Sequence, residues 1–212
     1  MARFTPSDIQ TLEQIMSSRR DVRGNRFLPK ALQDAALDKI LNAGLSAPSV
    51  GFSQPWRFVV VRSQATKMAV KASFDVENKN AIEQFSDDKQ DLYRQLKLEG
   101  IVDAPVNVAV FYQPSVDPVL GQTSMSNTGV YSVVCAIQNM WLMARALEVG
   151  LGWVSIVDPE AVKQLLNAPR ESELVGYLCL GYVDEFLDSP ELEQKGWDRR
   201  KPFDEVVFSE SF

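Results

Sequence analysis

Apolar residues recur at helical spacing in Ile9, Leu12, Ile15 and Met16, with Ser7 and Asp8 placed to cap the start, so a first helix is expected to run to about Ser18. Leu37, Ile40, Leu41 and Leu45 mark a second helix, roughly Ala31 to Ser46, and Phe58 to Val61 is a short apolar strand. Residues 64–73 and 81–98 read as two further helices. The second is polar on most faces, through Asp87, Asp88, Lys89, Asp91, Arg94 and Lys97, which suits a surface element or lid. Ala104 to Tyr112 is apolar enough for a central strand. The widest stripe belongs to Val130, Val133, Val134, Ile137, Met140, Trp141, Ala144 and Leu147, widened by Ala136 and Met143, and predicts a buried central helix. Gly150 to Val157 leads from that helix into a strand, Asp158-Pro159 starts a short helix ending before Pro169, Gly176 to Val183 is a fourth buried strand, and Glu205 to Phe208 suits an edge strand. Four or five strands with helices between them give one α+β domain over residues 1–212.

Two stretches carry candidate chemistry. In Ala47-Pro48-Ser49-Val50-Gly51-Phe52-Ser53-Gln54-Pro55-Trp56, each proline removes a donor and disfavours helix before it, so a stiff, exposed loop joins helix to strand. Its N–H groups, with Ser49, Ser53 and Gln54, suit the rim of a planar heteroaromatic ring. The other stretch, Arg19-Arg20-Asp21-Val22-Arg23-Gly24-Asn25-Arg26, puts four arginines at a helix exit. Their forks could converge on one anion, and they should hold Asp21 ionised. Read blandly, the first is an ordinary polar connection and the second a solvated charge run. Pro114 to Asn127 is a long Pro-, Gly- and Ser-rich loop of the kind that is functional or mobile.

Composition narrows the chemistry. A net charge of −6 over 212 residues argues against a nucleic-acid binder. No apolar run approaches the roughly 20 residues of a membrane helix, and the N-terminus lacks an apolar signal core, so a cytoplasmic location is expected. Histidine is absent, which removes Ser-His and Cys-His pairs and the usual zinc sites, so no metal is expected and acid–base work must use carboxylates, lysine, tyrosine, hydroxyls or a cofactor. Cys135 and Cys179 are not in metal-type spacing and read as reduced core thiols. Gly150-Leu-Gly152 lacks a third glycine and runs from helix into strand, so it is not a dinucleotide fingerprint.

The Arg19-Arg20-Asp21-Val22-Arg23 motif, the Ala-Pro-Ser…Gln-Pro-Trp loop and Arg200-x-Pro202 together resemble the nitroreductase-like flavoprotein family. Ser49 to Arg57, Leu96 to Ile101, Ala136 to Trp141, Gly152 to Ile156, Tyr177 to Gly181 and Gly196-Trp197 resemble more narrowly its 5,6-dimethylbenzimidazole synthase branch. The resemblance spans nearly the whole chain. It implies a mostly antiparallel sheet of four to five strands around a buried helix, lid segments near 74–100 and 113–127, and FMN bound at a homodimer interface. Arg19, Arg20, Arg23 and Arg200 match the arginines that hold FMN, Ser49 and Gln54 match loop positions beside the ring, and Asp21 and Ser155 match the aspartate and serine implicated in the chemistry. In that branch reduced FMN and O2 are substrates, the flavin is broken down to 5,6-dimethylbenzimidazole, the lower ligand of vitamin B12, and erythrose 4-phosphate is released. A partner reductase or free reduced FMN supplies the reducing equivalents. Gln122 departs from the arginine of many relatives, and the residues around Met125 to Thr128 also differ.

The residues agree with that implication. Breaking a flavin draws redox power from the flavin and O2, so absent histidine is no obstacle. A carboxylate such as Asp21 can take a carbon-bound proton near the ribityl chain; its bland alternative is a helix-end ion pair with Arg20 or Arg23, and that of Ser155 is a hydroxyl satisfied inside a strand. Two other functions fit the same motifs: an NAD(P)H-dependent nitroreductase or flavin reductase that returns FMN intact, and a non-catalytic flavin-binding protein.

Overall fold

The computed structural model describes residues 3–212. Helix α1, Pro6–Ser18, is capped by Thr5 rather than by Ser7 or Asp8: Thr5 accepts from the Asp8 N–H, and Asp8 accepts the Thr5 N–H at 2.8 Å, a reciprocal capping box. Helix α2 is Asp34–Leu45, starting three residues later than its apolar spacing suggests. Strand β1, Trp56–Val61, follows the proline-bounded loop. The expected break near Ser73 does not occur. Val70 and Phe74 anchor α3, Gln64–Ile82, and its polar end continues as solvated helix before α4, Asp87–Gln95, whose one buried side chain is Tyr93. Then come β2, Val106–Tyr112; α5, Thr128–Ala146; β3, Val149–Val154; α6, Pro159–Leu165; β4, Glu173–Tyr182; and α7, Glu191–Gln194.

The four strands form one antiparallel sheet in the order β1-β2-β4-β3. The pleat sends Val106, Val108 and Val110 to one face, where α2 and α5 complete the larger core, and Ala109 and Phe111 to the other, packed with Val70 and Phe74 of α3 and Val162 of α6. No fifth strand forms at residues 205–208. That segment begins in the turn at Phe203–Glu205 and is exposed throughout, without strand pairing.

Helix α5 buries Val133, Ala136, Ile137, Met140 and Ala144, as its stripe demands. Its outer side stays open: Tyr131 is 51% exposed, and Val134 and Cys135 are also exposed, so of the two thiols only Cys179 lies in the core. No helix among the described residues is long and apolar enough to cross a membrane.

Candidate active site

Strand β3 lies at the edge of the sheet, and the chain leaving α1 uses that edge. The Val22 N–H donates to the Leu151 carbonyl at 3.1 Å, and Asp21 pairs with Leu151 in a one-residue parallel bridge. The approach is close enough that a Cβ on Gly152 would sit 2.1 Å from the Val22 carbonyl oxygen. Gly152 therefore serves the seating of the arginine segment, which accounts for a glycine pattern that fits no dinucleotide fold. Two side chains of α5 fix the same segment from below: Trp141 Nε1 donates to the Arg20 carbonyl at 3.0 Å, and Arg145 Nε donates to the Ser18 carbonyl at 3.1 Å.

The result is a cleft of about 190 Å³ lined by Arg19, Arg20, Asp21, Arg23, Leu96, Lys97 and residues Pro190 to Leu192. The guanidinium groups differ in freedom. Arg20 donates from Nε to the Leu187 carbonyl at 2.7 Å, from Nη1 to the Ser17 and Arg19 carbonyls, and from Nη2 to Asp188. Burial, then Arg19, Arg200 and Arg145, push its pKa down, so Arg200 belongs to the same field although its own residue is exposed. Arg23 is shared between the Leu98 carbonyl, at 3.1 Å, and an ion pair with Asp21. Arg19 lies over the Trp141 ring, 4.6 Å from its centroid.

Asp21 is the floor of this cleft. Its Oδ1 accepts the Trp153 N–H at 3.0 Å and its Oδ2 faces Arg23. About a third of the side chain (31%) opens to the cleft, and the rest is closely packed. Burial raises its pKa above the usual carboxylate range, against the opposing pull of Arg23, the Trp153 N–H and Arg19. Burial is the larger influence, although the arginines expected to hold Asp21 ionised do pull its pKa down, through Arg23 and then Arg19.

Ser155 lies one residue past the end of β3 and is exposed, not satisfied inside a strand, roughly 7 Å along the chain from Trp153. Ser49 and Gln54 lie elsewhere. The Ser49 Oγ accepts the Gln54 N–H at 3.1 Å, and the Val50 N–H donates to Ser132 Oγ at 3.0 Å, near the start of α5. Gly51, Phe52 and Gln54 all have φ between 47° and 54°, a left-handed run that gives this loop its shape. Ser132 is nine residues before Trp141 and thirteen before Arg145 on α5, which separates loop and arginines by about 14–20 Å along the helix. One chain therefore gathers Arg19, Arg20, Asp21 and Arg23, with Arg200 at their margin, but does not bring Ser49 and Gln54 to them.

Sequence reasoning missed Trp153, whose main-chain N–H orients Asp21, and took Trp141 as packing although it carries Arg19 and Arg20. Main-chain contacts leave no residue-type signal, and the two tryptophans, whose ring centroids lie 6.3 Å apart, reach the arginine segment only through the fold. The donor set fits a phosphorylated cofactor: fixed positive charge beside a carboxylate. The cleft is smaller than the roughly 300–1,000 Å³ of a typical small-molecule site.

The comparisons with known proteins agree with this geometry. The nitroreductase family model matches residues 16–182. A 5,6-dimethylbenzimidazole synthase of Rhodospirillum rubrum is 41% identical over 201 residues, covering 94% of both chains, and one of Rhodobacter capsulatus is 37% identical, covering 94% of this chain and 96% of its own. Among solved structures, iodotyrosine deiodinase bound to FMN and 3-iodo-L-tyrosine superposes with a TM-score of 0.72 at 21% identity, covering 95% of this chain and 99% of that one. A BluB-like flavoprotein from Clostridium difficile 630 superposes at 0.70 and 23%, covering 94% and 99%. These two likenesses establish the fold. The arginine segment, the edge-strand seat and the full-length likeness together make this chain a member of the nitroreductase family, on the side of its 5,6-dimethylbenzimidazole synthases.

Proposed function

We propose that this protein is a 5,6-dimethylbenzimidazole synthase acting on reduced FMN and O2, with erythrose 4-phosphate as the other product. The observation that carries the reading is Asp21, a carboxylate with a raised pKa fixed by Trp153 and Arg23 at the floor of an arginine-lined cleft, in a chain similar over 94% of its length to enzymes of that name.

Bound reduced FMN, with O2, supplies the redox chemistry. Arg19, Arg20, Arg23 and Arg200 supply the positive field for its phosphate and ring edge, with Arg20 and Arg23 held in place by the carbonyls they bond. Each Asp21 oxygen keeps a lone pair beyond its bond to Trp153 or Arg23, so the carboxylate can accept a carbon-bound proton from the ribityl chain. The hydroxyl of Ser155 orients or relays that proton. Segments 74–100 and 113–127 act as lids that exclude water. Gln122, which donates to the Tyr112 hydroxyl and the Ser126 carbonyl at 3.0 Å each, braces the second lid from within where many relatives carry arginine.

Ser49 and Gln54 enter the site from a second copy of the chain. Supporting a homodimer are the exposed apolar side of α1 (Ile9, Leu12, Met16), the open side of α5, and a C-terminal arm on which Phe203, Val206, Val207, Phe208 and Phe212 are all exposed. A cytoplasmic setting, with a flavin reductase or free reduced FMN as the source of electrons, completes the reading.

The test is to supply purified protein with reduced FMN and air and to separate the products by chromatography. Stoichiometric 5,6-dimethylbenzimidazole is expected; quantitative recovery of intact FMN contradicts the proposal.

A further inference from the structure

The stretch from Leu96 to Ile101 leaves α4 and runs along the arginine segment. The Leu98 carbonyl accepts from Arg23, and the Glu99 carbonyl accepts the Gly24 N–H at 2.8 Å. Leu96 and Lys97 line the cleft itself. The Glu99 side chain is only 5% exposed; its Oε2 accepts the Ile101 N–H at 2.7 Å, and its Oε1 faces Lys97 Nζ at 3.6 Å. Burying a carboxylate is costly unless a charge or donors compensate it. Here the compensating charge is a lysine, 47% exposed, on the wall of the cleft. A separation of 3.6 Å attracts the ammonium without engaging its hydrogens, so all three donors stay available to a ligand. Arg20 and Arg23 differ in this respect, because their donors already serve carbonyls and Asp21.

We propose that Lys97 is a further cofactor-binding residue whose ammonium contacts an anionic group of the flavin, either the phosphate or the ring nitrogen that carries negative charge after reduction. Glu99 is its positioning residue, holding the ammonium toward the cleft from a buried site. The proposal rests on the flavin reading above.

The experiment titrates full-length wild type, Lys97→Met, Lys97→Arg and Glu99→Gln with FMN and riboflavin by flavin fluorescence, in oxidised form in air and in reduced form without oxygen. For Lys97→Met, a phosphate contact predicts that the preference for FMN over riboflavin falls about tenfold. A ring contact predicts instead that the preference for reduced over oxidised flavin falls by about the same factor. Lys97→Arg should retain the wild-type ratios, and Glu99→Gln should shift whichever ratio Lys97→Met shifts, by about threefold. Because these are ratios within one variant, a general loss of fold does not imitate them. Lys97→Met with both ratios within twofold of wild type, in a protein that does bind FMN, overturns this inference alone. Wild type that fails to bind FMN overturns the flavin reading and this inference with it.

Discussion

At the C-terminal end of α5 the arginine segment is held at several points, through Trp141, Arg145, Leu151, Trp153 and Leu98. At the N-terminal end the loop around Ser49 and Gln54 is tied to its own chain more sparsely, by Ser132, the 119–121 segment and the Gln113 N–H that donates to the Pro55 carbonyl at 2.7 Å, and Phe52 is 81% exposed. The first region is preorganised for charge, whereas the second is a shaped, largely exposed surface. Preorganised donors and carboxylates avoid reorganisation at the moment of reaction. On the proposed homodimer, that second surface would link activity to assembly.

The sharpest way to break this comparison is at Asp21. Asp21→Asn keeps the size and the acceptor for Trp153 but not the proton-accepting capacity, so product formation should fall about 100- to 10,000-fold. FMN binding and reoxidation of reduced FMN in air should persist. Product within a few-fold of wild type would reduce Asp21 to an ion-pair partner.

Gly152→Ala attacks the seat rather than the charge. A methyl group 2.1 Å from a carbonyl oxygen forces the segment off β3, at a cost on the order of 1–3 kcal/mol or more. Both the melting temperature and FMN affinity should drop; an unchanged melting temperature would show that the edge bridge contributes little. Truncation after Gly196 probes the other region. It should yield a monomer-sized species by light scattering, with FMN binding weakened in part because Arg200 goes with the arm, and a particle still of dimer mass would count against the arm. Ser155→Ala should lower product formation by about tenfold or less, as a relay rather than a base.

The smallest effect is a pH dependence of stability. Burial raises the Asp21 pKa, so the folded protein holds this proton more tightly than the unfolded chain does. Stability should therefore fall as pH rises from the unfolded carboxylate value through the higher folded one. Asp21→Asn should remove that slope and leave the protein as stable as wild type, or more so, at neutral pH. Product formation should rise with pH through a midpoint above the ordinary aspartate value of about 3.9; a midpoint at that value would contradict the raised pKa.

Much of this was legible in the sequence, for identifiable reasons. The stripe on α5 and the apolar β2 declare themselves because burial there is set by the chain's own core, and the arginine motif declares itself because charge at a helix exit is visible in residue types. What stayed hidden depends on partners without side-chain signatures. The N–H of Trp153 sets Asp21, the Thr5 cap precedes the residues expected to serve, and α3 runs past Ser73 because its polar end needs only solvent. Val134, Cys135 and the stretch 205–208 were misplaced for another reason. Their apolar side chains suit a core, yet this chain leaves them exposed, so residue type alone does not separate buried from exposed apolar positions there.

The claim that two chains each supply half a site has one direct test. Chains carrying Asp21→Asn, and chains carrying Ser49→Ala with Gln54→Ala, are first shown to be inactive alone, then mixed under subunit exchange and assayed for 5,6-dimethylbenzimidazole. If the site is composite, every mixed dimer regains one intact site, and an equal mixture should recover about a quarter of wild-type product formation. If each chain holds a complete site, every site in every dimer carries a lesion, and the mixture should stay as inactive as its parents.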